Sequence, residues 1–319
     1  MNAPMTILVT GASGFVGRHL CRHLAEHGHR VIALVRKAGT AIPGVAQEVC
    51  IPDFSDLRVL ETVLPECGAV IHLAGRAHVM HDTVNDPLNE FRRVNVGLTE
   101  ELLNKTISAG VARFVFVSSI GVNGNSNSRP FSADDVPAPH DLYAISKLEA
   151  EQLVQKHARQ AGIDYAIVRP VLVFGPDAPG NFATLLNLAA KNWPLPFARL
   201  LAKRSLISVW NLADLLRTCA TTPVPLKDVF LAADAQTVTL ADIFRQLAAG
   251  MQQRATLMAV PKSLLSLLCS LVGKRHMLNK LDAELTVDIT KTQQILMWKP
   301  PYTTTDGLIR TGKEFKKIS

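Results

Sequence analysis

The chain has 319 residues, 48% hydrophobic and 19% charged, enough for one large domain or two coupled ones around a substantial core. Its five cysteines (Cys21, Cys50, Cys67, Cys219 and Cys269) are scattered without CxxC spacing, which argues against a disulfide framework or a cysteine zinc site and fits a reducing compartment. The formal charge of +7 reads as dispersed, with aromatics at only 6%, a pattern that suits small anionic ligands and not a nucleic-acid-reading face.

The N-terminus, MNAPMTILVTGASG, has no basic run before its apolar residues, so no signal peptide is expected. TILVT (6–10) is the first predicted strand. VTGASGFVG (9–17) then sets Gly11, Gly14 and Gly17 three residues apart, between that strand and a predicted helix. In this setting Gly11 permits a tight turn, Gly14 lets a dinucleotide diphosphate approach the backbone, and Gly17 allows close packing. The helix N-terminus adds N–H donors and positive dipole. The helix also carries His19, His23 and His27 at four-residue spacing. Because Val16, Leu20 and Leu24 take the apolar stripe, these histidines are read as a solvated face, not a metal site.

RVIALVR (30–36) is the second strand. An NAD-specific enzyme usually has an acidic residue at its end for the ribose 2′-hydroxyl. Val35, Arg36 and Lys37 stand there instead, and an arginine fork suits a 2′-phosphate, so NADP(H) is favoured with NAD(H) as the alternative. AVIHLAG (69–75), RFVFVSS (113–119) and YAIVRP (165–170) follow as strands, with amphipathic helices over 86–109 and 142–160. This alternation predicts an α/β fold with a doubly wound parallel sheet of the Rossmann kind.

Beyond RPVLVFGPDAPG come helical segments such as NFATLLNLAAKN (181–192), proline-rich turns and the strand-like pieces SLISVW and DVFLAA. Residues 1–175 are expected to form the dinucleotide-binding domain. Residues 176–319 are expected to form a smaller mixed α/β substrate-binding lobe, some segments of which return to the main sheet. LLSLLCSLVG (264–273) is well short of the roughly 20 residues that cross a bilayer and reads as a packed helix of that lobe, with membrane-surface contact as the alternative. The expected location is the cytoplasm, its inner membrane face included.

DLYAISK (141–147) places Tyr143 and Lys147 one helical turn apart on one face. A free tyrosine titrates near 10, and an ammonium about 4–5 Å away favours the phenolate by up to about two or three pKa units. Such a pair can pass a proton to or from a substrate oxygen at neutral pH.

With these motifs in order, the chain resembles an extended short-chain dehydrogenase/reductase of the NAD-dependent epimerase/dehydratase family, in the branch acting on nucleotide sugars. The likeness runs almost end to end, through TGASGFVG, PDFSD (52–56), HLAG (72–75), VNVGLTE, VSSIGVNG (117–124), YAISK, RPVLVFGP (169–176) and MWKPPYTTTDGL (297–308). It implies a catalytic set of Ser119, Tyr143 and Lys147. It also implies coenzyme contacts from Gly11, Ser13, Gly14, Phe15, Val16, Gly17, Arg36 and Lys37, and from Asp53 and Phe54 at the adenine. Leu73, Ala74, Gly75, Asn95, Tyr143, Lys147 and Pro170 complete the coenzyme set. Asn181 and Arg204, besides Ser119, match substrate-binding positions, and FGPDAPG has the composition of a loop that orders over ligand.

The family pattern for 4,6-dehydratases puts Asp-Glu right after the catalytic Ser or Thr; Ile120 and Gly121 stand there, so that reaction is excluded. Asn123 occupies a position where many epimerases of the family carry tyrosine. HVMHD (78–82) and RPFSADDVPAP (129–139) resemble surface-polysaccharide enzymes. The favoured expectation is reduction of the 4-keto group of a UDP-2-acetamido-2,6-dideoxy-hexulose in O-antigen precursor synthesis. The alternative is a 4-epimerase of a UDP-hexose, UDP-N-acetylhexosamine or polyprenyl-diphosphate hexosamine, and more remotely a non-catalytic NADP-binding regulator. The resemblance also implies a homodimer through helices 86–109 and 142–160, with no nucleic-acid partner and no transmembrane segment.

Overall fold

Strands that are apolar at every position need cover on both faces, and the order of elements provides it. The computed structural model describes residues 3–52, 56–77, 86–271 and 282–318. Seven parallel strands form one sheet in the order β3-β2-β1-β4-β5-β6-β9. They are β1 (Thr6–Thr10), β2 (Arg30–Val35), β3 (Gln47–Cys50), β4 (Ala69–His72), β5 (Arg113–Val117), β6 (Asp164–Pro170) and β9 (Lys227–Ala232). The order reverses between β1 and β4, which is where ligands bind in sheets of this kind.

The two-residue strand period divides the core between two faces. Ile7, Val9, Val31, Ala33, Ile71, Val115 and Phe230 point to one side, under helices α1 (Phe15–Glu26) and α7 (Val209–Thr221). Leu8, Ile32, Leu34, Val70, Phe114, Phe116 and Ile167 point to the other, under α4 (Leu98–Ser108) and α5 (Leu142–Ala161). A third cluster around Phe174, Phe182, Leu206, Phe244 and Leu308 forms the C-terminal lobe. That lobe contains the short parallel pair β7 (Leu172–Phe174) and β8 (Leu206–Ser208), and helices α6 (Asn181–Ala190), α8 (Leu240–Gly250) and α9 (Lys262–Leu271). The segment DVFLAA does return to the main sheet: β9 pairs with β6 from Tyr165↔Lys227 to Pro170↔Ala232. No described helix is long and apolar enough to cross a membrane.

Three sequence expectations shift. The strand over 69–75 ends at His72, because the chain then passes over the glycine turn, and that over 113–119 ends at Val117. The helix over 86–109 is interrupted: α3 (Pro87–Arg92) leads into a π-helical turn, Arg93–Gly97, before α4. The histidine ladder is solvated only at His27; His19 and His23 are half-buried. His19 bonds Asp177 (3.1 Å), His23 bonds Asp214 (3.1 Å), and the His27 ring bonds the His23 carbonyl (2.8 Å).

Asp214 ties α1 to the C-terminal segment, since its carboxylate also accepts from Arg217 and from the buried Trp298 indole (2.9 Å). Burial alone would raise its pKa, but the bonds from His23, Arg217 and Trp298 outweigh that and hold it well below the usual carboxylate range. A depressed carboxylate stabilises the fold fully above its unfolded pKa of about 4 and loses that contribution as pH falls. Asp214→Asn should therefore flatten the loss of stability below about pH 4. Urea midpoints of both proteins across the acid limb test this; parallel curves would refute it.

Candidate active site

The glycine turn is built by backbone contact. Gly11 has φ +66°, and a Cβ there would lie 2.8 Å from the Ala74 nitrogen; one at Gly17 would lie 2.2 Å from the Gly11 carbonyl oxygen. Only glycine lets β1 turn under the exit of β4 while α1 packs onto that turn. Gly14 is the N-cap of α1 with no side-chain cap, so the first-turn N–H groups point outward from a cradle a side chain would fill. Ser13 is exposed beside it, and Phe15 and Val16 are half-buried in the first turn. The residues present fit a dinucleotide diphosphate.

A directional hydrogen-bond relay holds the β4 exit. Thr99 Oγ1 donates to the Asn95 carbonyl (2.7 Å), so it accepts from His72 Nε2 (3.0 Å). His72 Nδ1 then accepts from Thr10 Oγ1 (2.6 Å), which in turn accepts from the Ala74 N–H (3.1 Å). His72 is fully buried, and burial, followed by the Lys147 charge, pushes its pKa down to about 3, so it stays neutral. Asn95, in the π-helical turn, accepts from the Arg76 N–H (2.7 Å) and donates to the Arg76 carbonyl (3.1 Å) and to Ser146 Oγ (2.9 Å). Ser146 Oγ donates to the Tyr143 carbonyl (2.7 Å). The π-turn thus joins the β4 exit to the first turn of α5.

Asp141 caps α5 through the Ala144 N–H (2.7 Å) and places Tyr143 in the first turn. Ser119 caps the short turn Ile120–Val122, its Oγ accepting from the Gly121 N–H (3.1 Å). A Cβ on Gly121 would lie 3.4 Å from both Ser119 Oγ and Ala144 Cβ, so the serine turn rests against α5 one residue from Tyr143. Lys147 is 3% exposed, its Nζ 4.1 Å from the centroid of the Phe116 ring. A Cβ on Gly75 would come within 3.9 Å of that Nζ and 3.0 Å of Asn95 Oδ1. Pro170 is buried at the end of β6.

Burial sets the electrostatics of this site without ligand. Desolvation lowers Lys147 from the usual 10.5 to about 7, partly countered by Glu151, and raises Tyr143 to about 12 with help from Asp141. The expected depression of the tyrosine by the lysine is therefore not present here, because both groups have lost water and the lysine is only partly charged near neutrality.

The sequence reading missed the network behind Lys147. Arg169 forms a bidentate pair with Glu151 (2.9 and 2.6 Å), both side chains at most 4% exposed, and also donates to Asn123 Oδ1 (2.9 Å). Asn123 holds the Ser132 carbonyl (2.9 Å). Glu151 lies four residues after Lys147, a spacing that could have disclosed it.

Of the remaining candidates, Arg36 and Lys37 are exposed just past β2, while Asp53, Phe54 and the HVMHD stretch lie outside the described residues. Asn181 is the exposed first residue of α6, behind an N-cap at Gly180, and Arg204 is half-buried where its backbone bridges Val238 and Leu285. The FGPDAPG loop is docked on α1, through Asp177–His19 and through Gly175 against the Phe15 ring.

Comparison with known proteins places this geometry in a family. Residues 7–230 match the NAD dependent epimerase/dehydratase family. A Vibrio cholerae protein described as UDP-glucose 4-epimerase is 38% identical over 316 residues, 98% of this chain and 96% of that one. Among solved structures, a Bacillus cereus UDP-N-acetylglucosamine 4-epimerase superposes with TM-score 0.80 at 18% identity, covering 98% and 99% of the two chains. The Bacillus cereus UDP-glucuronic acid 4-epimerase in complex with NAD gives 0.76 at 21%, covering 98% and 99%. The chain belongs to the NAD dependent epimerase/dehydratase family.

Lys147 should titrate near 7 in the ligand-free protein, readable from the ε-carbon resonance of labelled lysine and assigned with Lys147→Arg. Glu151→Gln should move that midpoint lower. Since the folded pKa lies below the unfolded value, the penalty for burying the charge should fall as pH rises from about 7 to about 10. A midpoint near 10.5 would contradict the assignment.

Proposed function

We propose that this chain is a nicotinamide-dependent 4-epimerase of a UDP-activated hexose or N-acetylhexosamine. What supports the reading is the Ser119 turn packed on α5, which carries Tyr143 and Lys147, together with the uncapped glycine turn, in a chain that matches the Vibrio cholerae relative almost end to end. Residues 1–175 would hold the coenzyme and 176–319 the sugar nucleotide, with β9 completing the sheet of the first part. The family description and the NAD-bound neighbour support NAD(H); neither supports the preference for NADP(H) read from Arg36 and Lys37.

The coenzyme, held at the glycine turn and along Leu73–Gly75, Asn95 and Lys147, would supply a hydride acceptor and donor. This chain's own groups manage the proton. Ser119 Oγ would hold the sugar 4-oxygen, and Tyr143 Oη would take its proton and later return it. The Lys147 ammonium, where charged, stabilises the phenolate. Asn181 and Arg204 are proposed to bind the diphosphate: burial disfavours the Arg204 charge, a cost that an anionic partner offsets. Ile120 and Gly121 carry no titratable group, so these two positions do not supply the second acid/base pair that a 4,6-dehydratase needs. Two chains are proposed to pair across α4 and α5, which sedimentation would report as a doubled mass.

Interconversion of UDP-glucose with UDP-galactose, or of the N-acetyl pair, without added reductant is the expected result. Tyr143→Phe should slow it by about 10²–10⁴-fold while coenzyme binding survives. The second reading, a 4-keto reductase, is favoured by Arg36 and Lys37 at the end of β2. No interconversion, together with stoichiometric oxidation of added NADPH by a UDP-2-acetamido-2,6-dideoxy-4-keto-hexose, would replace the epimerase with that reductase.

A further inference from the structure

We propose that the C-terminal lobe docks on an anionic lipid bilayer through a basic, apolar-studded rim. Four large apolar side chains there face solvent: Trp193 (59% exposed), Leu201 (72%), Met258 (45%) and Leu264 (47%). Each stands within two residues of a member of the third core cluster or of a hydrophobic residue packed on it, namely Leu195, Leu200, Leu257 and Leu265. The segments carrying the first three are joined by backbone bonds, Leu195 N–H to the Thr256 carbonyl (2.9 Å), Met258 N–H to the Leu195 carbonyl (2.8 Å) and Ala198 N–H to the Met258 carbonyl (3.3 Å). Leu264 enters from the first turns of α9, beside the buried Leu265. Soluble chains scatter single exposed hydrophobics; a group of them around one small core marks a contact surface.

Charge selects the occupant. No acidic residue occurs between Asp177 and Asp214, a stretch carrying Lys191, Arg199, Lys203 and Arg204. None occurs between Asp242 and Asp282, whose described part adds Arg245, Arg254 and Lys262. Of these, Lys191, Arg199, Lys203 and Arg254 are exposed, so the apparent dispersal of charge conceals a basic, acid-free region. Asp242 and Asp282, at the edge of the second stretch, pair with Arg245 and Lys262. The Lys191 ammonium lies 4.9 Å from the Trp193 ring centroid. Cations interleaved with a tryptophan and aliphatic side chains suit the boundary between anionic headgroups and acyl chains. A second copy docking through the same patch would set like charges face to face across its twofold axis, which disfavours that occupant. The inference is independent of which C4 reaction the chain performs.

Flotation of the purified full chain with phosphatidylglycerol–phosphatidylethanolamine vesicles, against phosphatidylcholine alone, tests it. Binding is expected to the anionic vesicles, weakening with salt. Lys191→Glu with Arg199→Glu should reduce partitioning by about tenfold or more, and Trp193→Ser with Leu201→Ser should reduce it at every salt concentration. Both variants must retain a cooperative unfolding transition. A chain that stays with the aqueous fraction at low salt, or charge-reversed protein that floats like the parent, would overturn the proposal. So would a lipid-free dimer that the Trp193/Leu201 variant dissociates, which would give the patch to a second copy.

Discussion

A lysine ammonium stripped of water is the constraint around which the site is organised. Lys147 has 3% of its surface exposed, and an uncompensated cation there would cost several kcal/mol. The surroundings offset part of that in two ways: the Phe116 ring offers its face, and Glu151 stands one turn further along α5. Glu151 can serve only because Arg169 neutralises it, and Arg169 is oriented in turn by Asn123. A position that departs from the tyrosine of many related epimerases thus acquires a definite role: its amide links the buried ion pair to the loop at Ser132.

Close backbone contact governs the other half of the site. Gly11 and Gly17 allow three chain segments to meet at distances no side chain would permit, and the Thr10–His72–Thr99 relay then fixes which way the β4 exit runs. A neutral imidazole suits this task because it donates from one nitrogen and accepts at the other; a protonated one would break the bond from Thr10. Burial keeps it neutral. The relay ends on the π-helical turn, whose extra residue directs Asn95 toward both Arg76 and Ser146. The interruption in that helix is therefore part of the site's construction.

Short, near-continuous β-branched runs disclosed most strands of the main sheet, and near-four-residue apolar spacing disclosed the helices between them. β3 escaped notice: Gln47–Cys50 is four residues long and only Val49 is buried. Its place is set by pairing with β2, a tertiary contact no local pattern encodes. Ser119, Tyr143 and Lys147 were legible through family likeness, and the glycine turn through its position between strand and helix. The Glu151–Arg169–Asn123 chain was not, since its members lie 18 and 46 residues apart in sequence. The histidines of α1 misled for a related reason. Helical spacing puts them at the edge of the Val16–Leu20–Leu24 stripe, but it could not show that Asp177 and Asp214 would arrive there.

What chemistry the site can perform follows as much from the side chains beside the serine as from the catalytic set. Removing water across neighbouring carbons needs a proton acceptor and a proton donor besides the group acting at the 4-oxygen, and Ile120 and Gly121 supply neither. A Cβ on Gly121 would only touch Ser119 Oγ and Ala144 Cβ at 3.4 Å, so the serine turn packs on α5 at ordinary contact distance. What Ile120 and Gly121 leave is the single proton transfer at the 4-oxygen proposed for Tyr143. Both readings of the reaction, epimerisation and reduction, need that and no more. The difference between them would then lie in how firmly the coenzyme is retained and how the sugar is turned, which the proposed roles assign to residues at the end of β2 and in the C-terminal lobe rather than to Ser119, Tyr143 and Lys147.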